Sequence, residues 1–409
     1  MKYYLKKTGA ICSLLFIISS GLTAQTINYF NSGKPVMEKE NSSIPFDLYG
    51  HIIFVEVKIN DSQKAYNFLF DTGALCFIDE KAADELHLEK GMEMPTMGEI
   101  PKAYLTKSPV QISLGDVKVK DLIVPISDFS NFLKSGHGPQ MDGFIGSDFL
   151  RFFKVTIDYR KKVLIFSSNS GSSDPPCDGY KIKFENHFPI RAPMAEIEID
   201  REIKIKGMID TGSPYLIVCP LALMEDQDFL KGRKFIMSEG IMAKWPISDI
   251  DKNYLSRFKS LKIGSLEIRN IPVLFANTGN VLIGRDFLDQ FIVTINYPAN
   301  ELILRPNGKP AFESNLFSAG LALERIEENN KTVVRGFWKG SPADKSGFKV
   351  GDEVLEINSK KAKDLSYFEI KSILNNDTIP IIELLIKCDE GVREIVLNKE
   401  MLFPEIEDE

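Results

Sequence analysis

Two aspartates in this 409-residue sequence begin identical Asp-Thr-Gly tripeptides and could work together as a pair of catalytic carboxylates. Residues 68–74 read Phe-Leu-Phe-Asp-Thr-Gly-Ala and residues 207–213 read Gly-Met-Ile-Asp-Thr-Gly-Ser, which contain Asp71 and Asp210. Two carboxylates held close together cannot both ionise, so such a pair shares one proton and titrates as a unit. The ionised member can then activate a water molecule while the protonated member polarises a carbonyl group.

A single Asp-Thr-Gly would be an ordinary turn capped by aspartate, so the pairing depends on whether the surrounding sequence is also repeated. Three further blocks recur in the same order at an almost constant offset: residues 112–115 and 261–264, 144–150 and 282–288, and 155–159 and 293–297. Four matched blocks in register indicate a duplicated domain. Each copy would contribute one aspartate to the pair.

The elements that must position these turns read as short β-strands. Residues 55–59 and 195–199 alternate with the period of half-buried strands, and glycine, asparagine or aspartate recurs between strands. Each Asp-Thr-Gly follows the apolar end of a strand, where its glycine allows a tight turn and the close approach of another segment. We therefore expect both copies to be β-rich, with the character of a sandwich or barrel.

The duplicated pattern resembles the retropepsin-like aspartic peptidases over residues 45–305. The resemblance implies a mainly β fold in which two tandem retropepsin-like (acid protease) β-barrel lobes form a pseudo-twofold pair within one monomeric chain. It implies peptide or protein substrates, no cofactor, no metal, and Asp71 and Asp210 as the catalytic residues. It also implies residues that support the catalytic turns (Thr72, Gly73, Thr211, Gly212 and Ser213) and residues that line the substrate cleft (Leu75, Cys76, Pro214 and Tyr215).

Enzymes of this kind also need a flap, usually a hairpin between the catalytic turn and the middle strand of the lobe. Segments 91–104 and 237–245 occupy that interval in the two copies, and we assign them as flaps. Neither segment copies the glycine-rich flap of viral enzymes. Ala74 after the first turn is similar to retropepsins, whereas Ser213 after the second turn is more similar to pepsins.

Composition argues against several other classes of function. The formal net charge is −7, and beyond the first few residues no cluster of lysine and arginine is suited to bind nucleic acid. The four histidines are scattered without the spacing of metal ligands, and the cysteines show no zinc pattern. Neither a nucleophile elbow nor a phosphate-binding glycine loop is present. Asp148 and Asp286 repeat faithfully and are expected to cap the segments that follow.

The N-terminus predicts export. Three lysines precede an apolar run at residues 10–18, and Ala24 could be the last residue before cleavage. That run is shorter than the roughly 20 residues that a membrane-spanning helix needs. We therefore expect a signal peptide and a periplasmic or extracellular mature protein that does not span the membrane. Four cysteines would remain, which allow three disulfide pairings, although their irregular spacing favours unpaired thiols.

A different pattern follows the repeat near the C-terminus. Residues 340–358 read Gly-Ser-Pro-Ala-Asp-Lys-Ser-Gly-Phe-Lys-Val-Gly-Asp-Glu-Val-Leu-Glu-Ile-Asn, which resembles the core of bacterial PDZ domains. The resemblance implies an α+β domain that binds a ligand peptide by strand addition and holds its terminal carboxylate. By position, the carboxylate loop would be Ser318, Ala319, Gly320 and Leu321, with a helix at residues 367–374 as the opposite wall. The alternative is a PDZ fold used only for packing.

The expected organisation is a signal peptide (1–24), a first lobe (45–166), a linker (167–179), a second lobe (180–305), a PDZ domain (316–400) and an acidic tail (401–409). The short segment 305–310 would tether the PDZ domain, which would then select or dock peptide substrates near the cleft. Two functions fit this organisation: an aspartic endopeptidase, or a non-catalytic protein that grips peptides without cutting them. A third arrangement would pair each lobe with a lobe of another molecule.

Overall fold

The computed structural model describes residues 29, 31–94, 102–129, 140–168, 179–187, 190–243, 252–308, 316–326 and 329–403. Strands greatly outnumber helices among them, which confirms that the chain is mainly β. The expected signal peptide, the centre of the expected linker and the final six residues lie outside the described residues. Within the described ranges, no helix is both long and apolar enough to cross a membrane.

A first β-region spans residues 34–168. Two of its strands begin before residue 45, which is the boundary expected from the sequence. The first of these strands pairs with Val117–Leu122. Its helices are Glu80–Glu85 and Ser147–Leu150. Its strands are Lys34–Met37, Asn41–Pro45, Asp47–Tyr49, Ile52–Ile59, Tyr66–Phe70, Phe77–Asp79, Lys90–Met94, Ala103–Thr106, Val110–Leu114, Val117–Leu122, Pro125–Ser127, Gly143–Ile145, Lys154–Asp158 and Val163–Ser167.

A second β-region spans residues 179–308. Its helical segments are a 3₁₀ turn at Leu221–Glu225 and the helices Gln227–Leu230 and Arg285–Leu288. Its strands are Tyr180–His187, Ala192–Ile199, Ile203–Ile209, Ile217–Pro220, Ile236–Gly240, Tyr254–Ile263, Leu266–Ala276, Val281–Ile283, Phe291–Asn296 and Glu301–Pro306.

The strand that carries each Asp-Thr-Gly turn has the same kind of partner in both regions. Tyr66–Phe70 pairs in parallel with Gly143–Ile145, and Ile203–Ile209 pairs in parallel with Val281–Ile283. A short helix then begins immediately after the repeated glycine. The repeated sequence blocks therefore correspond to the same local architecture twice.

The two β-regions share a sheet and a core. Lys154–Asp158 and Phe291–Asn296 pair antiparallel at the centre of that sheet. The sheet continues outward through Val163–Ser167 and Asn41–Pro45 on one side and through Glu301–Pro306 and Tyr180–His187 on the other. One cluster of buried apolar side chains also includes residues from both regions, so neither region buries its apolar faces alone.

A C-terminal module spans residues 316–403 and has its own hydrophobic core. Its helical segments are Pro342–Lys345, a 3₁₀ turn at Ala362–Asp364, and Tyr367–Asn375. The expected acidic tail begins later than residue 401, because Phe403 is buried and its carbonyl accepts a hydrogen bond from Arg257. The strands are Phe317–Ser318, Leu321–Ile326, Lys331–Trp338, Glu353–Ile357, Lys360–Lys361, Ile381–Cys388, Gly391–Asn398 and Glu400–Met401.

The C-terminal module is attached to the second β-region by strand pairing. Lys331–Trp338 runs antiparallel to Ile236–Gly240, which places both strands in one continuous sheet. The module is therefore held by more than the short segment 305–310 that was expected to join it. Main-chain hydrogen bonds between the two strands fix its position.

Candidate active site

Asp71 and Asp210 stand at equivalent strand ends. The N–H of Asp71 donates to the carbonyl of Ile145 at 2.9 Å, and the N–H of Asp210 donates to the carbonyl of Ile283 at 3.0 Å. Each aspartate is thereby held by the parallel strand beside it. Since the two strands of each pair run in the same direction, the turn and the repeated glycine meet at one edge of the sheet.

The repeated glycine is required because the chain passes against the backbone of the loop that carries the aspartate. A Cβ on Gly146 would overlap the backbone of Ala74 and Leu75. A Cβ on Gly284 would likewise overlap the carbonyl oxygen of Tyr215. Glycine at these positions therefore lets the second strand of each pair support the loop that carries the aspartate.

The carboxyl groups of Asp71 and Asp210 lie close together, because each lies against the glycine of the opposite turn. Gly73 donates its N–H to Asp71 Oδ1 at 2.8 Å, and Gly212 donates to Asp210 Oδ1 at 2.9 Å. A Cβ on Gly73 would be 2.9 Å from Cγ of Asp210, and one on Gly212 would overlap the carboxylate of Asp71. Each glycine therefore allows the opposite carboxyl group to approach the backbone.

Thr72 and Thr211 lock the two turns together. Thr72 donates its N–H to the hydroxyl of Thr211 at 3.0 Å, and Thr211 donates its N–H to the hydroxyl of Thr72 at 3.1 Å. Each hydroxyl then donates across the interface, Thr72 to the carbonyl of Ile209 and Thr211 to the carbonyl of Phe70. Both threonines are fully buried, so these hydrogen bonds are made away from water and fix the turns firmly.

Burial and mutual repulsion control the proton of the pair. Burial raises the pKa of Asp71. Burial, together with the negative charge of Asp71, raises the pKa of Asp210 well above its usual range. The fold therefore disfavours a doubly ionised pair and favours one shared proton. Such a pair has both a base and an acid available for attack of water on a carbonyl group.

The remaining residues expected at the site differ in their exposure. Pro214 and Tyr215 are half-buried just after the second turn. Ser213 is buried, and its N–H donates to Asp210 Oδ1 at 3.1 Å. Leu75 is only 7% exposed and packs with Tyr29 in a small apolar cluster.

Cys76 is a correction to the expected cleft. Its side chain is fully buried, and its N–H donates to Asp148 Oδ1 at 2.8 Å. Its sulfur accepts the N–H of Gly146 at 3.3 Å. Because the chain turns inward after Leu75, Cys76 packs beneath the Asp71 turn instead of facing the expected cleft. Cys219 and Cys388 also carry free thiols, whereas Cys12 and Cys177 lie outside the described residues.

The residues expected in a carboxylate loop lie in the C-terminal module. Gly320 adopts φ 72° and donates its N–H to the hydroxyl of Ser318 at 3.0 Å. The carbonyl of Ala319 accepts from Ala343, and Leu321 stands opposite Phe337 in the sheet. A Cβ on Gly320 would overlap the side chain of Ser341, so a larger residue there would distort the module itself.

The two expected flaps have different surroundings. In the first β-region, Lys90–Met94 pairs with Ala103–Thr106 as a hairpin at the end of its sheet, and its central residues 95–101 lie outside the described residues. In the second β-region, Ile236–Gly240 lies between Tyr254–Ile263 and the C-terminal module. Only the first hairpin therefore has an edge strand that is not covered by the module.

Ser147 is a supporting residue that sequence reasoning missed. Its buried hydroxyl donates to the carbonyl of Thr72 at 2.6 Å. The equivalent residue, Arg285, donates its N–H to the carbonyl of Ser213 at 2.7 Å. The sequence offers little sign of this role, because the residue after the repeated glycine is serine in the first copy and arginine in the second.

Asp148 and Asp286 do not share one role. Asp148 is buried, and its carboxylate accepts from Cys76 and from Phe149 in its own helix, so it ties that helix to the loop that follows Asp71. Asp286 is 58% exposed beside Arg285. The cap expected at both positions is therefore replaced by a tie to the loop in the first copy and by surface exposure in the second.

Histidine and metal chemistry are minor among the described residues. His51 is half-buried, and its burial together with the charges of Lys371 and Arg285 lowers its pKa to about 3. It is therefore neutral at physiological pH. Across the ranges that the structure describes, no group of histidine, cysteine and acidic residues could hold a metal ion.

Comparison with known proteins supports the first half of this site. Residues 55–149 match a family model described as aspartyl protease. The matched segment contains Asp71 and extends to the helix Ser147–Leu150, and it supports a hydrolase of this kind. It ends before the second β-region and Asp210. No curated protein matches the chain.

Proposed function

We propose that this protein is an exported aspartic endopeptidase whose two β-regions are tandem retropepsin-like lobes and whose C-terminal module is a PDZ domain. The observation that carries the proposal is the close approach of the half-buried Asp71 and Asp210, each of whose carboxyl groups lies against the glycine of the opposite turn. Each group comes from one copy of the repeat. A monomer therefore holds a complete catalytic pair, and a second molecule is not required.

In this reaction the ionised carboxylate takes a proton from a water molecule as the water attacks the carbonyl carbon of a peptide bond. The protonated carboxyl group donates its proton to the carbonyl oxygen. When the C–N bond breaks, that proton returns to the carboxylate that gave it, and the leaving amine receives the proton that was taken from water. The backbone N–H groups of Gly73, Gly212 and Ser213 hold the carboxylates in place. Because these donors are fixed before substrate binds, little reorganisation is needed during the reaction.

The two threonines act as positioning residues in this scheme. Thr72 and Thr211 touch neither water nor substrate, since both are fully buried. Their reciprocal hydrogen bonds keep the two turns at the separation at which the carboxyl groups share a proton. A protein that only gripped peptides would not need two carboxyl groups held so close together, because holding two such groups side by side and partly out of water costs free energy.

The substrate would bind between the two β-regions, above the aspartate pair. The hairpin formed by Lys90–Met94 and Ala103–Thr106 is suited to act as the flap, since its outer strand lies at the end of a sheet. The C-terminal module would bring peptides to this cleft or select among them. Its fixed attachment to the second β-region favours a role at the cleft itself over a role as a distant tether.

The test is hydrolysis of a mixed peptide library, analysed by mass spectrometry. We expect cleavage by the wild type and none by Asp71→Asn. The matched control is Asp116→Asn, because Asp116 forms an exposed ion pair with Lys39 on the surface of the first β-region. Binding of library peptides without cleavage by the wild type would support the non-catalytic alternative and overturn the proposal.

A further inference from the structure

The C-terminal module is held in one orientation by its contacts with the strand Ile236–Gly240. Ser238 stands opposite Trp338, and Gly240 stands opposite Gly336. Arg335 donates from its side chain to the carbonyls of Ile241 and Met242, both at 2.8 Å. A main-chain and side-chain junction of this kind leaves little freedom for the module to rotate against the second β-region.

Glycine and tryptophan make this junction specific. A Cβ on Gly336 would lie 2.7 Å from the nitrogen of Ile241, and one on Gly240 would overlap the carbonyl of Arg335. The backbones therefore approach closely only because both residues are glycine. Trp338 is 7% exposed and belongs to the apolar cluster of the second β-region, together with Met208.

This orientation brings the helix Tyr367–Asn375 to the catalytic loop of the second β-region. Lys371, on that helix, places its Nζ 5.6 Å from the centre of the Tyr215 ring. The charge of Lys371 also acts on His51 in the first β-region. One lysine of the C-terminal module therefore lies near residues from both halves of the peptidase.

Tyr215 connects this lysine to the catalytic turn. Its carbonyl oxygen faces Gly284 in the interior, while its half-buried ring is the surface on which Lys371 rests. It lies a few residues beyond Asp210 in the same loop. A substrate side chain that binds against this ring would therefore meet the ammonium group of Lys371.

Lys371 is available for such a contact because it has no acidic partner among the residues that the structure describes. Nearby Arg285, in contrast, is paired with Asp289 at 3.2 Å. The aromatic ring attracts the ammonium group and holds it in place without neutralising its charge. An uncompensated positive charge thus lies beside the catalytic loop.

We infer that Lys371 is a specificity-determining residue, which favours peptide substrates carrying an aspartate or glutamate at the position bound against Tyr215. The inference rests on the proposed function and names the substrate class of that same site. A carboxylate there would form an ion pair with Lys371 on a surface partly shielded from water. Partly exposed pairs of this kind change binding by up to about fivefold.

The experiment uses decapeptide pools in which one position is fixed as glutamate or glutamine and all others are mixed. Each of the ten positions is fixed in turn, and kcat/KM is measured for the full-length protein. At one position near the cleavage point, we expect wild type to prefer glutamate by up to about fivefold. Lys371→Arg should keep this preference and Lys371→Glu should reverse it. The control is Lys360→Glu, which changes an exposed lysine of the same module and should leave the preference unchanged.

The outcomes separate this inference from the proposed function. Cleavage of all pools by wild type without a glutamate preference, or an unchanged preference in Lys371→Glu, overturns the role of Lys371 and leaves the peptidase assignment standing. Absence of cleavage in every pool overturns the peptidase assignment, and the inference falls with it. A preference that also reverses in Lys360→Glu would show an effect of total charge and would overturn the specific role of Lys371.

Discussion

The hydroxyl oxygens of Thr156 and Thr294 lie 2.8 Å apart, although 138 residues separate them in the sequence. The two threonines also stand directly opposite each other where Lys154–Asp158 pairs with Phe291–Asn296. They occupy equivalent positions in the repeated sequence blocks, so the two β-regions meet here through matching residues. Thr72 and Thr211 bond reciprocally in the same way, so the aspartate turns also meet through matching residues.

The reciprocal threonine bonds predict a large effect of removing one hydroxyl. Thr211→Val would leave the N–H of Thr72 and the carbonyl of Phe70 without their buried partner, at a cost of about 1–3 kcal/mol in the free energy of unfolding. We also expect kcat to fall, because the turns would lose their fixed separation. Thr211→Ser keeps the hydroxyl and should retain most of the free energy of unfolding and most of kcat. Equal behaviour of the valine and serine variants, in denaturant unfolding and in kcat, would contradict this role.

Burial of Asp210 predicts a dependence of stability on pH. Its pKa in the folded protein is raised above the ordinary value of 3.8, so the folded state binds the proton more tightly than the unfolded state. The free energy of unfolding must therefore fall as pH rises from the unfolded pKa to the raised folded pKa. Asp210→Asn keeps an acceptor for Gly212 but cannot ionise. We expect it to melt at a higher temperature than wild type at pH 7, with the difference disappearing below pH ~3.8. A lower melting temperature at pH 7 would contradict a raised pKa of Asp210 in the folded protein.

The shared proton predicts a bell-shaped dependence of kcat/KM on pH. Activity should fall on the acid side as the ionised member is protonated, and on the alkaline side as the shared proton is lost. The alkaline limb should lie above the usual range for aspartate, because burial and Asp71 raise the pKa of Asp210. Circular dichroism at each pH controls for unfolding. A rate that stays flat from acid to well above neutral pH would exclude a carboxylate pair.

Attachment of the C-terminal module predicts that it stabilises the second β-region. Trp338→Ala should cost about 3–5 kcal/mol in the free energy of unfolding, because the side chain fills an apolar cluster. Val396→Ala, at a position 57% exposed on the same module, should change it by less than about 0.5 kcal/mol. Deletion of residues 316–409 should likewise lower the free energy of unfolding of the remaining protein. Unchanged denaturant unfolding of the truncated form would show that the module is only tethered.

Much of the site could be predicted from the sequence because its signals are local. The Asp-Thr-Gly turns, the glycine that follows each supporting strand and the alternation of strand residues are all short patterns, and their repetition showed that they belong together. Asp71 and Asp210 accordingly stand at equivalent strand ends. The direction of one side chain was not predictable: Cys76 turns inward because Asp148 captures its N–H, and Asp148 is distant in the sequence.

The attachment of the C-terminal module could not be predicted for a different reason. The residues of Lys331–Trp338 indicate a strand, but main-chain N–H and carbonyl groups pair with any strand edge and carry no information about the partner. Pairing with Ile236–Gly240 depends on Gly240 and Gly336 meeting across about a hundred residues of sequence. A lone glycine in each strand gives no sign that they meet. The place of Lys371 beside Tyr215 follows from that pairing and was equally hidden.

The central claim is that catalysis needs one carboxylate from each copy of the repeat, and Asp210 lies in the copy that the aspartyl protease match does not reach. The most direct measurement is kcat/KM of Asp210→Asn on a peptide that wild type cleaves, with melting temperature confirming that the variant is folded. We predict a loss of at least about 1,000-fold, equal to that of Asp71→Asn and no greater in the double variant, because the two groups act as a unit. Substantial turnover by folded Asp210→Asn would contradict the account.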